Sequence, residues 1–313
     1  MAYGPIQFQK LGDVSAYMRA FDALVRGQSV QISNDHLTVS VSDLGAEMQR
    51  LQDARGRDYL WQGDAAFWGG RSPILFPIVG RAPEDVIAVG GHSAPMAQHG
   101  FARRSQFALR DAGRDYCTHV LTDSAATRAV YPFAFRLSVT HRVRGAGVGV
   151  SARVENLDTR LMPFGLGFHP AFCWPLPGCE NQPHRIVLNN AAAPEVARLR
   201  GGLLPAARHP SPFENGILTL DQSLFSEDAM IFPEGAGTGL TYGAGTGPTL
   251  RFTFENLPNL ALWTKPGAPF ICIEPWHGMA AREGASGEIS ERPYSVLLPA
   301  GAVQEFAFSV TIS

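Results

Sequence analysis

Between Val30 and Ile312 the chain returns again and again to a period of two. Leu37, Val39 and Val41 alternate with Thr38, Ser40 and Ser42. Phe135, Leu137, Val139 and His141 alternate with Arg136, Ser138, Thr140 and Arg142, and Phe306, Phe308, Val310 and Ile312 close the chain in the same way. Successive side chains of a strand point to opposite faces, so each such run is a strand with one buried face. Further candidates are Asp58–Gln62, Phe107–Arg110, Thr118–Thr122, Gly147–Asn156, Thr249–Glu255 and Asn259–Thr264, with Val86–Met96 as a hairpin around Gly90-Gly91. Leu44–Met48 reads as a turn entering another strand. A strand about every ten residues, with turn signals between, predicts an antiparallel sandwich or barrel with few helices. The 33 glycines and 23 prolines supply the turns. One large all-β domain over residues 30–313 accounts for this pattern.

Two stretches read differently. In residues 1–29, Met18, Phe21, Leu24 and Val25 fall at helical spacing, with Asp13 or Ser15 as a cap. They predict an N-terminal extension with one short amphipathic helix, its apolar face packed on the main domain. Residues 174–216 are rich in Pro, Gly and Asn and predict an irregular excursion with a few short strands.

The balance of charge excludes some partners. The 313 residues carry a formal net charge of −2 and no basic block, so nucleic acid and anionic membranes are not expected partners. No apolar run is long enough for a membrane span, and the N-terminus lacks the pattern of a signal peptide. The expectation is a cytoplasmic protein, a monomer or homodimer. Cys117, Cys173, Cys179 and Cys272 contain no C-x-x-C pair and are expected as reduced thiols.

The chemistry concentrates where strand candidates meet Gly or Pro. Phe270–Ile273 is an apolar run that delivers Glu274, and Pro275 is expected to stop the ladder there because it has no N–H to give. Partial burial would raise the Glu274 carboxyl toward a useful general base. Gln98-His99-Gly100-Phe101-Ala102-Arg103 and Gly165-Leu166-Gly167-Phe168-His169-Pro170 each present a histidine at such a junction. Arg71-Ser-Pro-Ile-Leu-Phe-Pro-Ile-Val-Gly-Arg81 ends with an arginine beside a glycine. Arg81 either clamps a substrate at a pocket mouth or pairs with Glu84 or Asp85 in the next turn, and Arg71 and Arg103 have the same ambiguity. His169 and His99 are equally readable as satisfied core histidines, and His277 as a loop histidine beside Trp276. No H-E-x-x-H, paired Cys/His set, G-x-S-x-G elbow or dinucleotide fingerprint is present, so no cofactor and no metal are expected. What remains is an acid–base site with Trp61, Trp68, Trp263 and Trp276 available. Aromatics beside carboxylates commonly stack on sugar rings.

Taken together, Ser-Pro-Ile-Leu-Phe-Pro-Ile-Val-Gly-Arg (72–81), Gln-His-Gly-Phe-Ala-Arg (98–103), Gly-Phe-His-Pro-Ala-Phe (167–172) and Ile-Glu-Pro-Trp-His-Gly (273–278) resemble the aldose 1-epimerase (galactose mutarotase) family, most nearly its LacX-like branch. The four motifs occur in the family's order, from about Val30 to Ile312. The resemblance implies a galactose mutarotase-like β-supersandwich and interconversion of the α and β anomers of a hexose. It implies Glu274 as the base at the C1 hydroxyl and His169 as the acid at the ring oxygen, facing each other across the width of one sugar ring. His99 and Arg81 would hold the sugar, with Trp276 and Arg103 beside them. Asp228 is the nearest candidate for the family's sugar-binding aspartate, with Asp221 second. The partner would be a small-molecule sugar. Two alternatives stay open: a hexose-6-phosphate 1-epimerase, if Arg103 converges with Arg81 or Arg71 on one anion, and a non-catalytic sugar-binding protein on the same fold.

Overall fold

In the computed structural model, which describes residues 28–313, strands form along the whole described chain. They begin with β1 (Ser29–Ser33), β2 (Leu37–Ser42), β3 (Met48–Asp53) and the very short β4 (Ile74–Leu75). The expected hairpin is β5 (Val86–Val89) and β6 (His92–Pro95), followed by β7 (Ala108–Ala112) and β8 (Tyr116–Thr122). A helix, α1 (Ala125–Val130), leads to the long pair β9 (Phe135–Arg144) and β10 (Gly147–Asn156). Next come β11 (Met162–Phe164), β12 (Leu166–Phe168) and β13 (Ala171–Cys173); the irregular excursion then contains β14 (His184–Leu188). The second half holds β15 (Ile217–Thr219), β16 (Met230–Phe232), β17 (Gly239–Ala244), β18 (Thr249–Glu255), β19 (Asn259–Trp263), β20 (Phe270–His277), β21 (Val296–Leu298) and β22 (Val303–Ile312).

These strands pair into a nine-stranded sheet, β15-β14-β17-β18-β22-β10-β9-β8-β7, and a six-stranded one, β16-β19-β20-β12-β4, in which β13 also pairs β20. Beside them lie the three-stranded sheet β1-β2-β3 and two two-stranded ribbons, β5-β6 and β11-β21. Period-two alternation does what it predicts: on β9 the side chains of Phe135, Leu137, Val139, His141 and Val143 are buried, while those between them are not. The inner face of the nine-stranded sheet packs on the back of the six-stranded one. Phe308 meets Phe168 with ring centroids 4.9 Å apart, and Phe252 meets Phe172 at 5.1 Å. Phe168 and Ile273 therefore point into the core, and their neighbours His169 and Glu274 point to the opposite, front face.

Leu44–Met48 is the expected turn, with Gly45 and Ala46 in it, and enters β3 at Met48. Other local expectations change. Asp58–Gln62 forms only isolated bridges. α1 was not expected; Ser124 and Thr127 form a capping box at its start, which a six-residue helix needs to begin. The expected N-terminal amphipathic helix lies outside the described residues. The four cysteines are free thiols, and among the described residues no helix is long and apolar enough to cross a membrane.

Candidate active site

The front face of the six-stranded sheet carries a cavity of about 380 Å³, lined by Trp68, Gly80, Gln98, His99, Arg103, His169, Leu199, Asp228, Trp263, Glu274 and Trp276 among others. Its floor is β20. Contrary to expectation, Pro275 does not stop this strand, which runs on to His277 and pairs with β19 on one side from Cys272 to Trp276. The break falls on the other side. β12 and β13 share one register against β20 but are separated at His169-Pro170. Ile273 N–H donates to the Pro170 carbonyl at 3.1 Å. Residue 275 points its nitrogen to that same side, and being proline it gives no rung. Two prolines thus open the ladder around one cross-strand pair, and the register places His169 directly opposite Glu274.

That register decides the geometry. Directly opposed residues have side chains on one face with Cβ atoms about 5 Å apart. His169 Nε2 lies 3.2 Å from Glu274 Oε2. The two groups are therefore side by side, and the expectation that they face each other across a sugar ring is wrong: they are neighbours in one sheet, not residues on opposing walls. Both are buried, at 7% and 2% exposure. Glu274 Oε2, His169 Nδ1, Trp276 Nε1 and Arg103 Nε are all buried without a hydrogen-bond partner. Four orphaned polar atoms in one place cost stability unless a ligand satisfies them.

Burial sets the protonation. It pushes the Glu274 carboxyl well above its usual range, and Asp228 adds to the push; the Trp276 indole, not aligned for a normal hydrogen bond, opposes it only in part. Burial also holds the His169 imidazole down at about 3. Both shifts favour the neutral pair, with the proton on the carboxyl rather than the imidazole.

The other lining residues come from separate segments. His99 follows β6 with φ +68° and is locked by its neighbour across the chain: Gly80 N–H donates to His99 Nδ1 at 3.0 Å, and His99 N–H donates to the Gly80 carbonyl at 2.9 Å. With Nδ1 accepting, the neutral ring carries its proton on Nε2, which the Gln98 side chain, 3.3 Å away, can accept only with its amide oxygen turned toward the ring. Burial, then His169 and nearby arginines, keep His99 neutral. Gly100 has to be glycine: its φ is +71°, and a Cβ would lie 2.2 Å from the Phe76 carbonyl oxygen. Arg103 reaches the cavity from the turn Ala102–Arg104. Asp228 stands at the mouth with φ +66°, whereas Asp221 caps the turn Gln222–Phe225 and lies away from the cavity. Trp276 follows Glu274 by two residues on the same face of β20.

One residue of the expected set does not come to the site. Arg81 pairs with Asp85, at 2.6 Å, on the surface, and does not line the cavity. The local i,i+4 partner holds its guanidinium outside. Arg71 donates to the Gln49 carbonyl at 2.8 Å. His277 Nδ1 donates to the Asn256 carbonyl, 2.8 Å away, on the other face. Sequence reasoning missed Arg292, a buried guanidinium that donates to the carbonyls of Val79 at 2.6 Å and Met279 at 3.0 Å and to that of Arg81. It holds the loop that presents Gly80 to His99. No signal in Glu291-Arg292-Pro293 marks it.

Among the described residues, the metal-ligand types converge once: His169, Cys272 and Glu274 offer ligand atoms within 4.8 Å of one another. Two of these are the adjacent His169 and Glu274, and burial keeps the Cys272 thiol protonated. A cation here would occupy the pair rather than assist it.

Residues 28–209 match the family model for aldose 1-epimerase. The chain belongs to the aldose 1-epimerase family. It is 30% identical over 277 residues to the chromosomal protein LacX of Lactococcus lactis subsp. lactis, covering 85% of this chain and 93% of that one. Its fold is that of galactose mutarotase-like proteins. It superposes on a galactose mutarotase related enzyme from Lactobacillus acidophilus with a TM-score of 0.87 at 28% identity, over 91% of this chain and 97% of that one. A galactose mutarotase-like protein from Lactobacillus casei gives 0.85 at 28% identity, over 91% and 100%. The antiparallel β-supersandwich expected from the epimerase motifs is the fold observed.

Proposed function

We propose that this chain is an aldose 1-epimerase, with Glu274 and His169 as its acid–base pair and a neutral hexose as its substrate. The observation that carries the reading is the pair itself: two buried, unsatisfied proton-transfer groups 3.2 Å apart on the floor of a cavity walled by tryptophans.

Ring opening needs one proton removed from the C1 hydroxyl and one delivered to the ring oxygen. In the working state Glu274 is a carboxylate and His169 an imidazolium, which the neutral pair reaches by moving one proton across the contact. Glu274 takes the hydroxyl proton, electrons from O1 form the carbonyl, the bond from C1 to the ring oxygen breaks, and His169 protonates the leaving oxygen. Rotation about C1–C2 exposes the other carbonyl face. Reclosure returns each proton to the group that gave it. The open-chain stage coincides with the neutral pair that burial favours, so the site offsets part of the cost of opening. His99, Arg103, Asp228 and Trp276 would hold the hydroxyls and one ring face.

The phosphate reading is not favoured. It needed Arg81 or Arg71 to join Arg103 on one anion, but Arg81 is paired with Asp85, and Arg71 donates to the Gln49 carbonyl and does not line the cavity. The remaining arginine, Arg103, faces a cavity that also contains Asp228. A merely binding protein has no use for adjacent acid and base. The test is polarimetry of freshly dissolved α-glucose and α-galactose and their 6-phosphates. Rapid mutarotation of the free sugars, abolished by Glu274→Gln, is expected; equal rates for the two proteins would reject catalysis.

A further inference from the structure

The reaction as described leaves one wall of the cavity without a task, the loop of residues 64–70. Its Trp68 lies flat on His169, with ring centroids 4.9 Å apart and planes 27° from parallel. The loop is built to hold that ring. Trp68 N–H donates to the Asp64 carbonyl at 2.9 Å, and the Trp68 carbonyl accepts from Trp61 Nε1 at 2.9 Å. Lys265 Nζ donates to the Phe67 carbonyl at 3.1 Å. Trp263 closes edge-on against the indole, 5.5 Å away. Gly70 leaves the space, since a Cβ there would lie 2.4 Å from Trp68 Cζ2.

A working histidine is usually oriented by a hydrogen bond at its second nitrogen. His169 has none, because Nδ1 is buried and unpartnered. We propose that Trp68 is the positioning residue for His169: its indole face takes the place of that hydrogen bond, fixes the imidazole toward Glu274, and stabilises the imidazolium as it forms. This rests on the reading of His169 as the acid of an epimerase. An aromatic face within about 6 Å of a cation attracts it, most strongly where water is excluded. Around His169, burial first and then the Arg103 guanidinium disfavour positive charge, and its own backbone opposes them in part; the Glu274 carboxyl, 3.2 Å away, favours it once ionised, and Trp68 adds a neutral contribution of the same sign. With one face on the imidazole, Trp68 is not a platform for sugar there; Trp276 and Trp263 remain for that.

The experiment compares wild type with Trp68→Leu and Trp68→Phe by polarimetry and by NMR of the His169 ring. The leucine variant is expected to lose about tenfold in kcat with KM within about twofold of wild type, and phenylalanine to restore most of the loss. The His169 Cε1–H signal, shifted upfield by the indole, should move downfield and broaden or double in the leucine variant. A raised KM at unchanged kcat would make Trp68 a sugar platform and overturn the proposal. So would a His169 signal as sharp and as shifted in the leucine variant as in wild type. The NMR readout needs no turnover, so a wild-type protein without mutarotase activity would reject the epimerase reading while the stacking result still stands or falls by itself. Matching thermal midpoints confirm that all three proteins are folded.

Discussion

The molecule buries two histidine clusters, and they have opposite meanings. On the nine-stranded sheet, His119 on β8 and His141 on β9 point into the core. His119 Nε2 lies 3.1 Å from Asp43 Oδ1, and Nδ1 of both rings is unpartnered. On the six-stranded sheet, His169 and His99 line the cavity with Glu274. Burial holds His141 and His169 alike down at about 3. A perturbed, unsatisfied histidine is therefore not in itself a functional signal in this chain. The difference is what the orphaned atoms face. His141 stands opposite Cys117 in a packed core, where no ligand can arrive. His169 stands opposite a carboxylic acid, beside open space, with further orphans from Arg103 and Trp276.

The largest effect that would break this contrast comes from Glu274→Gln. It should lower the mutarotation rate on the order of 10³-fold in a polarimeter, because an amide cannot take the hydroxyl proton. Its thermal midpoint should not fall, and should exceed wild type in alkaline buffer. Folding raises the Glu274 pKa above its unfolded value near 4.5, so wild-type stability is full at low pH and is lost as pH rises through the folded value. His169→Gln should cost on the order of 10²-fold or more, while the same change at His141 leaves the rate unchanged. In wild type, kcat should fall on the alkaline side as the pair loses its last proton, since an imidazole without a proton cannot assist the ring oxygen. An alkaline limb missing in wild type would remove the single-proton pair from the mechanism.

Smaller effects sharpen the comparison. Arg103→Gln should raise KM for a neutral hexose about tenfold with little change in kcat, the loss of one charge-assisted contact. The core cluster should show itself only in stability. His141 is depressed in the folded state, so its contribution is intact above about pH 6.5 and is lost as pH falls toward the folded value, by at most about 1.4 kcal/mol per pH unit. His141→Phe should flatten the acid slope of the thermal midpoint between pH 7 and 5 without altering the kinetics. A slope as steep as wild type would mean that other groups dominate acid unfolding.

Much of this was legible before any coordinates. Alternation marked β10 to the residue, β9 closely and β22 from Phe306 onward, since one face of each meets the core and the other meets water. Motif content brought out Glu274, His169, His99 and Arg103, which the fold gathers around one cavity. What was not legible depended on partners distant in sequence or on competition between near ones. Arg81 had two destinations, and Asp85, four residues away, wins over a cavity on the other side of the backbone. The separation of Glu274 and His169 needed the register of β20 against β12 and β13, which no local pattern specifies. Pro275 looked like a stop because a proline usually ends a ladder; here it removes one rung on the side where His169 sits, while β19 carries the strand onward.

That register has a consequence for how such a protein can change. Strand spacing acts as a ruler: the gap between acid and base is set by backbone hydrogen bonds common to any antiparallel sheet, not by the side chains around it. Arg103 and Asp228 hang from a turn and a loop, which can exchange residues without moving that ruler. In the proposed function, contacts to the sugar and the spacing of the proton-transfer pair are thus carried by separable parts of the chain. A slip of one residue, by contrast, would send one of the two groups to the back of the sheet and end the chemistry at a stroke.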